Sequence, residues 1–541
     1  MIADMVETVH AAFAAAAARW PAREMLNILP ETAGIYGIDA GALTYEAAAG
    51  EVDALAADLE VAGYGAGHRV MLLLENRPAF FLWWLALNRL GASVVPVNPD
   101  LREAELTYMA GHAEPVLAVS LPARVADLRA AAEKAGIAMP VISPGDPIPA
   151  PRDNVRIALR NGPARDAEAA LLYTSGTTGQ PKGCVLTNTY FLMAGRWYAG
   201  TGGLCALGED GERMITPLPI FHMNAMAYSF MAMIAVGGCL IVLDRFHPRS
   251  WWASVRDSGA TCLHYLGVMP SMLMGADPSA ADRDHAVRFG FGAGVDPKLH
   301  AAFEDRFGFP LVEAWAMTET GAGAVICANR LPRRVGESCL GRPEPELEVR
   351  IVDEAGNDTG GAPGELLVRH AGDDPRRGFF AAYFKNEAAT DEAWEGGWFH
   401  TGDVVRRESD GSMFFVDRKK NVIRRSGENI AAVEVESTLM RHPAVTAAAV
   451  AAVPDPVRGD EVFACLVVNR DPTPELATEI TGWCLTQLAY YKAPGFIAFV
   501  ETLPLTATQK IQRGVLKTLA AELLEAPQTL DLRGMKKRSA A

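Results

Sequence analysis

LLYTSGTTGQPKG, residues 171–183, opens as a short apolar run and closes as a cluster of hydroxyls, glycines and one lysine. Glycine lets a backbone take turns closed to other residues and leaves N–H groups open to a ligand. Thr174, Ser175, Thr177 and Thr178 set hydroxyls around Gly176 and Gly179, and Lys182 adds a mobile positive charge. Convergent donors of this kind suit a polyphosphate, which also offers metal-binding oxygens. The spacing is not G-x-x-x-x-G-K-[ST], because the lysine follows Pro181 and no hydroxyl follows the lysine. A plain solvated turn would not need such density.

Outward from this loop, strand-length apolar runs alternate with helical patterns. VMLLLE (70–75), ASVVPVN (92–98), VLAVSL (116–121), ERMITPLPI (212–220), CLIVLD (239–244), ATCLHYLG (260–267) and FPLVEAW (309–315) read as strands. RPAFFLWWLALNRLG and PRSWWASVRDSG lie among them and read as helices. That alternation predicts an α/β fold of parallel sheets covered by helices. From about residue 345 the runs take hairpin spacing with Gly and Asp turns, which predicts an antiparallel β-rich subdomain. Beyond the charged bend DRKKN (417–421), strand and helix alternate again over a compact α+β unit. We expect a large domain over 1–419 and a small, mobile C-terminal domain over 420–541, with the boundary at Lys420.

Composition narrows the function. At 541 residues the chain exceeds one ordinary domain, at about 150 residues each. Half of it is hydrophobic and 21% is charged, which suits a well-cored enzyme. The net charge of −15 argues against nucleic acid as a partner. Eight dispersed cysteines without a C-x-x-C pair suit a reduced, cytoplasmic setting. The N-terminal MIADMVETVHAAFAAAAARWP reads as an amphipathic helix, not a signal peptide. The uncharged stretch Ala225–Leu243 is broken by Gly237–Gly238, so a buried helix feeding a buried strand is expected, with no membrane span.

Four further stretches carry chemistry. VRFGFGAGVDP (287–297) sets glycines between a strand and a helix, where backbone can lie flat against a planar ring. As a dinucleotide fingerprint it fails, since the third glycine counted from Gly290 falls on Val295. WAMTET (315–320) ends a strand with a hydroxyl and a carboxylate, donors suited to a hard cation. GWFHTGD (397–403) puts Asp403 in a tight turn, where a carboxylate can accept from two adjacent sugar hydroxyls. PLTATQKIQR (504–513) carries an isolated lysine on a polar loop.

The order YTSGTTGQPKG, GAG, WAMTE, WFHTGD, DRKKNVIRRSGENI and a lysine after PLTATQ resembles the adenylate-forming (AMP-binding) acyl-CoA synthetase superfamily. Its members include acyl- and aryl-CoA ligases, amino-acid adenylation domains and firefly-type luciferases. The resemblance spans about residues 40 to 520, and PIFHMNA, YFKNEAAT and RRSGENIAAVEVE are most similar to the crotonobetaine/carnitine-CoA ligase branch. It implies that Thr174, Ser175, Gly176, Thr177, Thr178, Gly179 and Lys182 hold the ATP phosphates. Gly292, Ala293 and Gly294 would flank adenine, with Trp315 on its other face in place of the usual tyrosine. Thr318 and Glu319 would sit near phosphate and Mg²⁺, with Glu319 and Thr174 as metal ligands. Asp403 would bind the ribose hydroxyls, helped by Arg418.

Lys420 would be the hinge, and Lys510 would enter the site for the first half-reaction and then swing away. Ser426, Gly427 and Glu428 would face the thiol tunnel for the second. His222 matches the gate beside the substrate carboxylate. The implied reaction is ATP-dependent ligation of a small-molecule carboxylic acid to coenzyme A through an acyl-adenylate, and a homodimer is an allowed assembly. Alternatives are a carrier-protein phosphopantetheine as acceptor, or a catalytically weak nucleotide-binding homologue. A nicotinamide oxidoreductase with Glu313 as its ribose acid would leave the Thr-rich loop unexplained.

Overall fold

The computed structural model describes residues 6–99, 101, 103–152, 164–174, 181–418, 422–425, 428–455, 458–488, 490–506 and 510–537. Among them, strands form a 13-stranded, a 7-stranded and a 6-stranded sheet. In the largest, Glu24–Ile28, Cys239–Val242, Arg213–Thr216, Cys262–Leu266, Phe289–Ala293 and Leu311–Trp315 lie side by side and parallel. Parallel strands need crossovers, and helices such as Trp251–Ser258 and Pro297–Phe307 supply them. Asp296 caps the latter through Lys298 N–H at 3.0 Å, and Pro297 starts it with the φ a helix needs.

The β-rich part continues this sheet instead of standing apart from it. Ile326–Cys327 and Cys339–Pro343 pair antiparallel beyond Leu311–Trp315, and Met413–Arg418, Phe399–Arg407, Gly364–His370 and Leu347–Val352 follow, also antiparallel. The 7-stranded sheet runs from Ala382–Tyr383 through Lys182–Thr187, Glu168–Thr174, Ser93–Pro96, Arg69–Leu73 and Leu117–Ser120 to Val141–Ile142. Between the layers the helix Pro78–Arg89 buries every residue from Phe80 to Asn88, including Trp83 and Trp84. Each large apolar side chain so buried contributes about 1.5–3 kcal/mol before entropy is counted.

The N-terminal helix Val9–Arg19 forms as expected and buries Val9, Ala12, Phe13, Ala16 and Ala17. The uncharged stretch is a π-helical turn (Asn224–Phe230), an α-helix (Met231–Val236), a left-handed Gly237 and the strand Cys239–Val242. No described helix is long and apolar enough to cross a membrane. The chain has a separate C-terminal domain. Its 6-stranded sheet is built from Val422–Arg425, Glu428–Ala431, Val445–Asp455, Gly459–Val468, Phe496–Phe499 and Leu530–Asp531. Two hydrophobic clusters of its own, around Val435 and Ile480 and around Phe463 and Leu516, are distinct from the core that contains Phe13, Trp84 and Phe291.

Candidate active site

The carboxyl ends of the parallel strands meet in one region, the place where open α/β sheets bind ligands. Phe289–Ala293 ends at the glycine turn, Leu311–Trp315 ends at the Trp–Thr–Glu stretch, and Cys262–Leu266 ends at Gly267. A Cβ on Gly267 would lie 1.7 Å from the Gly294 carbonyl oxygen, so only glycine lets these two turns touch. Gly292 is just as constrained, its missing Cβ facing the Tyr265 carbonyl at 2.2 Å.

Glu313 braces the glycine turn from the neighbouring strand. Its carboxylate accepts from Gly294 N–H at 3.1 Å and from Val295 N–H at 2.8 Å. Burial pushes the Glu313 carboxyl up, and those two N–H groups pull it back. A carboxylate already held by two N–H groups of the glycine turn is not disposed as the ribose acid of an oxidoreductase.

Two residues further along, Trp315 donates its indole N–H to Asp403 Oδ2 at 2.8 Å. Both side chains are buried, so the glycine turn and the WFHTGD turn are joined through one strand. Gly402, at φ 68°, supplies the left-handed step before Asp403, and the Asp403 N–H donates to Thr401 Oγ1 at 3.0 Å. Asp403 and Arg418 are register partners on adjacent antiparallel strands.

Thr318 and Glu319 occupy the turn beyond Trp315. The Thr318 carbonyl accepts from Tyr190 Oη at 2.9 Å. Buried Glu319 accepts from Tyr383 Oη at 2.9 Å. Burial and the Glu319 charge push the Tyr383 phenol up, which keeps it a donor. The Lys182 ammonium lies 4.5 Å from the Tyr383 ring centroid, and Lys182 is the register partner of Thr174. Lys182, Tyr383 and Glu319 therefore form a continuous chain from the Thr-rich loop to the acidic turn. The loop positions Ser175, Gly176, Thr177, Thr178 and Gly179 lie outside the described residues.

His222 stands half-buried just before the π-helical turn. Burial, and then the nearby Lys510 ammonium, hold its imidazole down at about 4. Lys510 belongs to the C-terminal domain. It is exposed, next to a bridge between Leu505 and Ile511, and its N–H donates to Thr506 Oγ1 at 3.1 Å. Tyr228, within the π-helical turn, donates to the Gly321 carbonyl at 2.8 Å and ties that turn to the one after Glu319. Ser426, Gly427 and Lys420 lie outside the described residues, and Glu428 begins a strand opposite Arg425.

The AMP-binding enzyme family matches residues 13–373, and the AMP-binding enzyme C-terminal domain family matches residues 434–510. The chain belongs to the AMP-binding enzyme family. It is 31% identical over 521 residues to a sulfoacetate–CoA ligase of Cupriavidus necator, covering 94% of this chain and 97% of that one. To a crotonobetaine/carnitine–CoA ligase of Salmonella arizonae it is 30% identical, covering 90% of this chain and 97% of the relative. Among solved structures, an anthranilate CoA ligase in complex with anthranoyl-AMP aligns with TM-score 0.80 at 22% identity, covering 97% of this chain and 100% of the other. The o-succinylbenzoate CoA synthetase of Bacillus subtilis, in complex with its acyl-adenylate, aligns with TM-score 0.77 at 23% identity, covering 94% and 97%. Both share the fold.

Motif reading alone missed the residues that join the motifs. Tyr383 lies 64 positions from Glu319, and no local pattern announces that pair. Glu313 came forward only as the acid of a rejected alternative. Gly267 carries no motif, and its need for glycine arises from a turn elsewhere in the chain.

Proposed function

We propose that this enzyme is an AMP-forming acid–CoA ligase. A carboxylic acid and ATP give an acyl-adenylate and pyrophosphate, and coenzyme A then takes the acyl group and releases AMP. The observation that carries this reading is the joining of the motif stretches at the strand ends: Lys182 against Tyr383, Tyr383 on Glu319, and Trp315 on Asp403. The acid arrives ionised and needs no general base. Its difficulty is approaching an equally anionic α-phosphate, and Lys182 and Lys510 supply positive charge for that. Thr174 and Lys182, at the two ends of the Thr-rich loop, would receive the β- and γ-phosphates. Gly292, Ala293, Gly294 and Trp315 would hold adenine, and Asp403 with Arg418 the ribose.

Magnesium fits this site. A hard cation held mainly by substrate phosphates takes only one or two protein ligands. The buried Glu319 carboxylate and the Thr174 hydroxyl offer such a set, and the described residues contain no cluster of three metal-binding side chains. When bound, the ion neutralises phosphate charge. His222, kept neutral, would sit beside the substrate carboxylate without adding a charge of its own.

The domain division proposed is 1–419 for binding ATP and acid and 420–541 as a lid, hinged at Lys420. The separate hydrophobic clusters on either side support it. A lysine that serves only adenylation must leave before the thiol enters at Ser426, Gly427 and Glu428, which calls for domain rotation. All eight cysteines are buried and unpaired with one another, which supports a cytoplasmic setting.

The test is pyrophosphate release from ATP, Mg²⁺ and pools of carboxylic acids, with and without coenzyme A. AMP together with an acyl-CoA mass supports the ligase. Pyrophosphate without a CoA product points to a carrier-protein acceptor, and no pyrophosphate from any acid overturns the proposal.

A further inference from the structure

The Trp315 indole N–H is aimed at a carboxylate that is only 2% exposed. The Asp403 backbone is fixed independently: its N–H meets Thr401 Oγ1, Thr401 Oγ1 donates to the Leu366 carbonyl at 2.7 Å, and Gly402 N–H meets Glu365 Oε1 at 3.1 Å. Those bonds act on the backbone and its neighbours; at the carboxylate itself, Trp315 holds one oxygen.

We propose that Trp315 is a positioning residue for Asp403: its indole N–H sets the carboxylate in the orientation that meets the sugar hydroxyls of a bound adenine nucleotide. The inference rests on the nucleotide-site reading above. Glu313 and Trp315 lie two apart on one strand, so their side chains leave by the same face. One strand face thus braces the glycine turn through Glu313 and the sugar-facing carboxylate through Trp315. A carboxylate already ordered loses less freedom when the nucleotide binds.

Calorimetric titration of the full-length enzyme with AMP and with 2′,3′-dideoxy-AMP tests it. Trp315→Phe keeps an aromatic face for adenine and removes the donor. The wild type should prefer AMP, and the variant should bind AMP about tenfold more weakly, as for loss of a hydrogen bond to a charged group. Its binding of the dideoxy nucleotide should fall only about twofold. Trp315→Leu also loses the ring face, which weakens both nucleotides alike, so the same difference between them should persist if the Phe variant does not fold. Equal weakening of both nucleotides in either folded variant would overturn the positioning role and leave Trp315 as packing alone. A wild type that binds both nucleotides equally would remove Asp403 as a sugar ligand and the inference with it. A wild type that binds neither would overturn the nucleotide-site reading itself.

Discussion

Asp403 is buried, accepts a hydrogen bond from Trp315 at 2.8 Å, and sits on a backbone tied to two neighbouring strands. Lys510 is exposed, beside a bridge between Leu505 and Ile511 and bonded to Thr506. Both are charged groups of the same candidate site. The nucleotide side is held by polar groups that bond one another inside the fold: Glu313 to the glycine turn, Trp315 to Asp403, Tyr383 to Glu319. Lys510, proposed to act in adenylation and then withdraw, is exposed. Groups that bind profit from being ordered beforehand, and a group that alternates between half-reactions cannot be buried in such a network.

The largest effect expected from breaking this contrast is at its mobile end. Lys510→Ala should lower adenylation about 10²- to 10³-fold, the scale of a lost charge-stabilising donor, while sparing thioester formation from supplied acyl-adenylate. Pyrophosphate exchange and thioester formation, measured separately, report the split; equal loss in both would mean that Lys510 does not alternate. At the ordered end, Gly267→Ala drives a methyl into the Gly294 carbonyl. We expect about 3 kcal/mol of destabilisation, seen in thermal melting, with AMP affinity falling alongside it.

Tyr383→Phe keeps the ring beside Lys182 and removes only the hydroxyl bonded to Glu319. Adenylation should fall about tenfold, and the bond lost at a buried carboxylate should cost about 1–3 kcal/mol in thermal melting; a full rate would show that Glu319 needs no such support. The smallest effect is read by NMR titration of two imidazoles. His222 is held down at about 4 by burial and by Lys510, whereas His264 is held down at about 3 by burial alone. Lys510→Ala should therefore raise the His222 value and leave His264 where it is. Both lie below the ordinary 6.5, so the stability they contribute as neutral groups is complete above that pH. It is lost as pH falls toward 4 and then 3, by up to about 1.4 kcal/mol per group per unit.

Within the large unit, the parallel strands were legible because buried strands read as continuous apolar runs, and CLIVL and VMLLL admit little else. The break at Gly237–Gly238 was legible for a similar local reason, with Gly237 left-handed at φ 63°. What the hairpin spacing after residue 345 did not reveal is that those strands extend the parallel sheet, since edge pairing depends on partners far along the chain. The amino-acid order alone determined the α/β class and marked Glu319, Asp403 and Lys510 as candidate site residues, because apolar strand runs and short motifs are local in the chain. Only the tertiary structure decided that Trp315 faces Asp403, that Tyr383 meets Glu319, and that Gly267 must be glycine. Those contacts are set by where segments 27 to 88 residues apart end in space, and hydrogen bonds and steric contacts of a few ångströms leave no periodic trace in the chain that makes them.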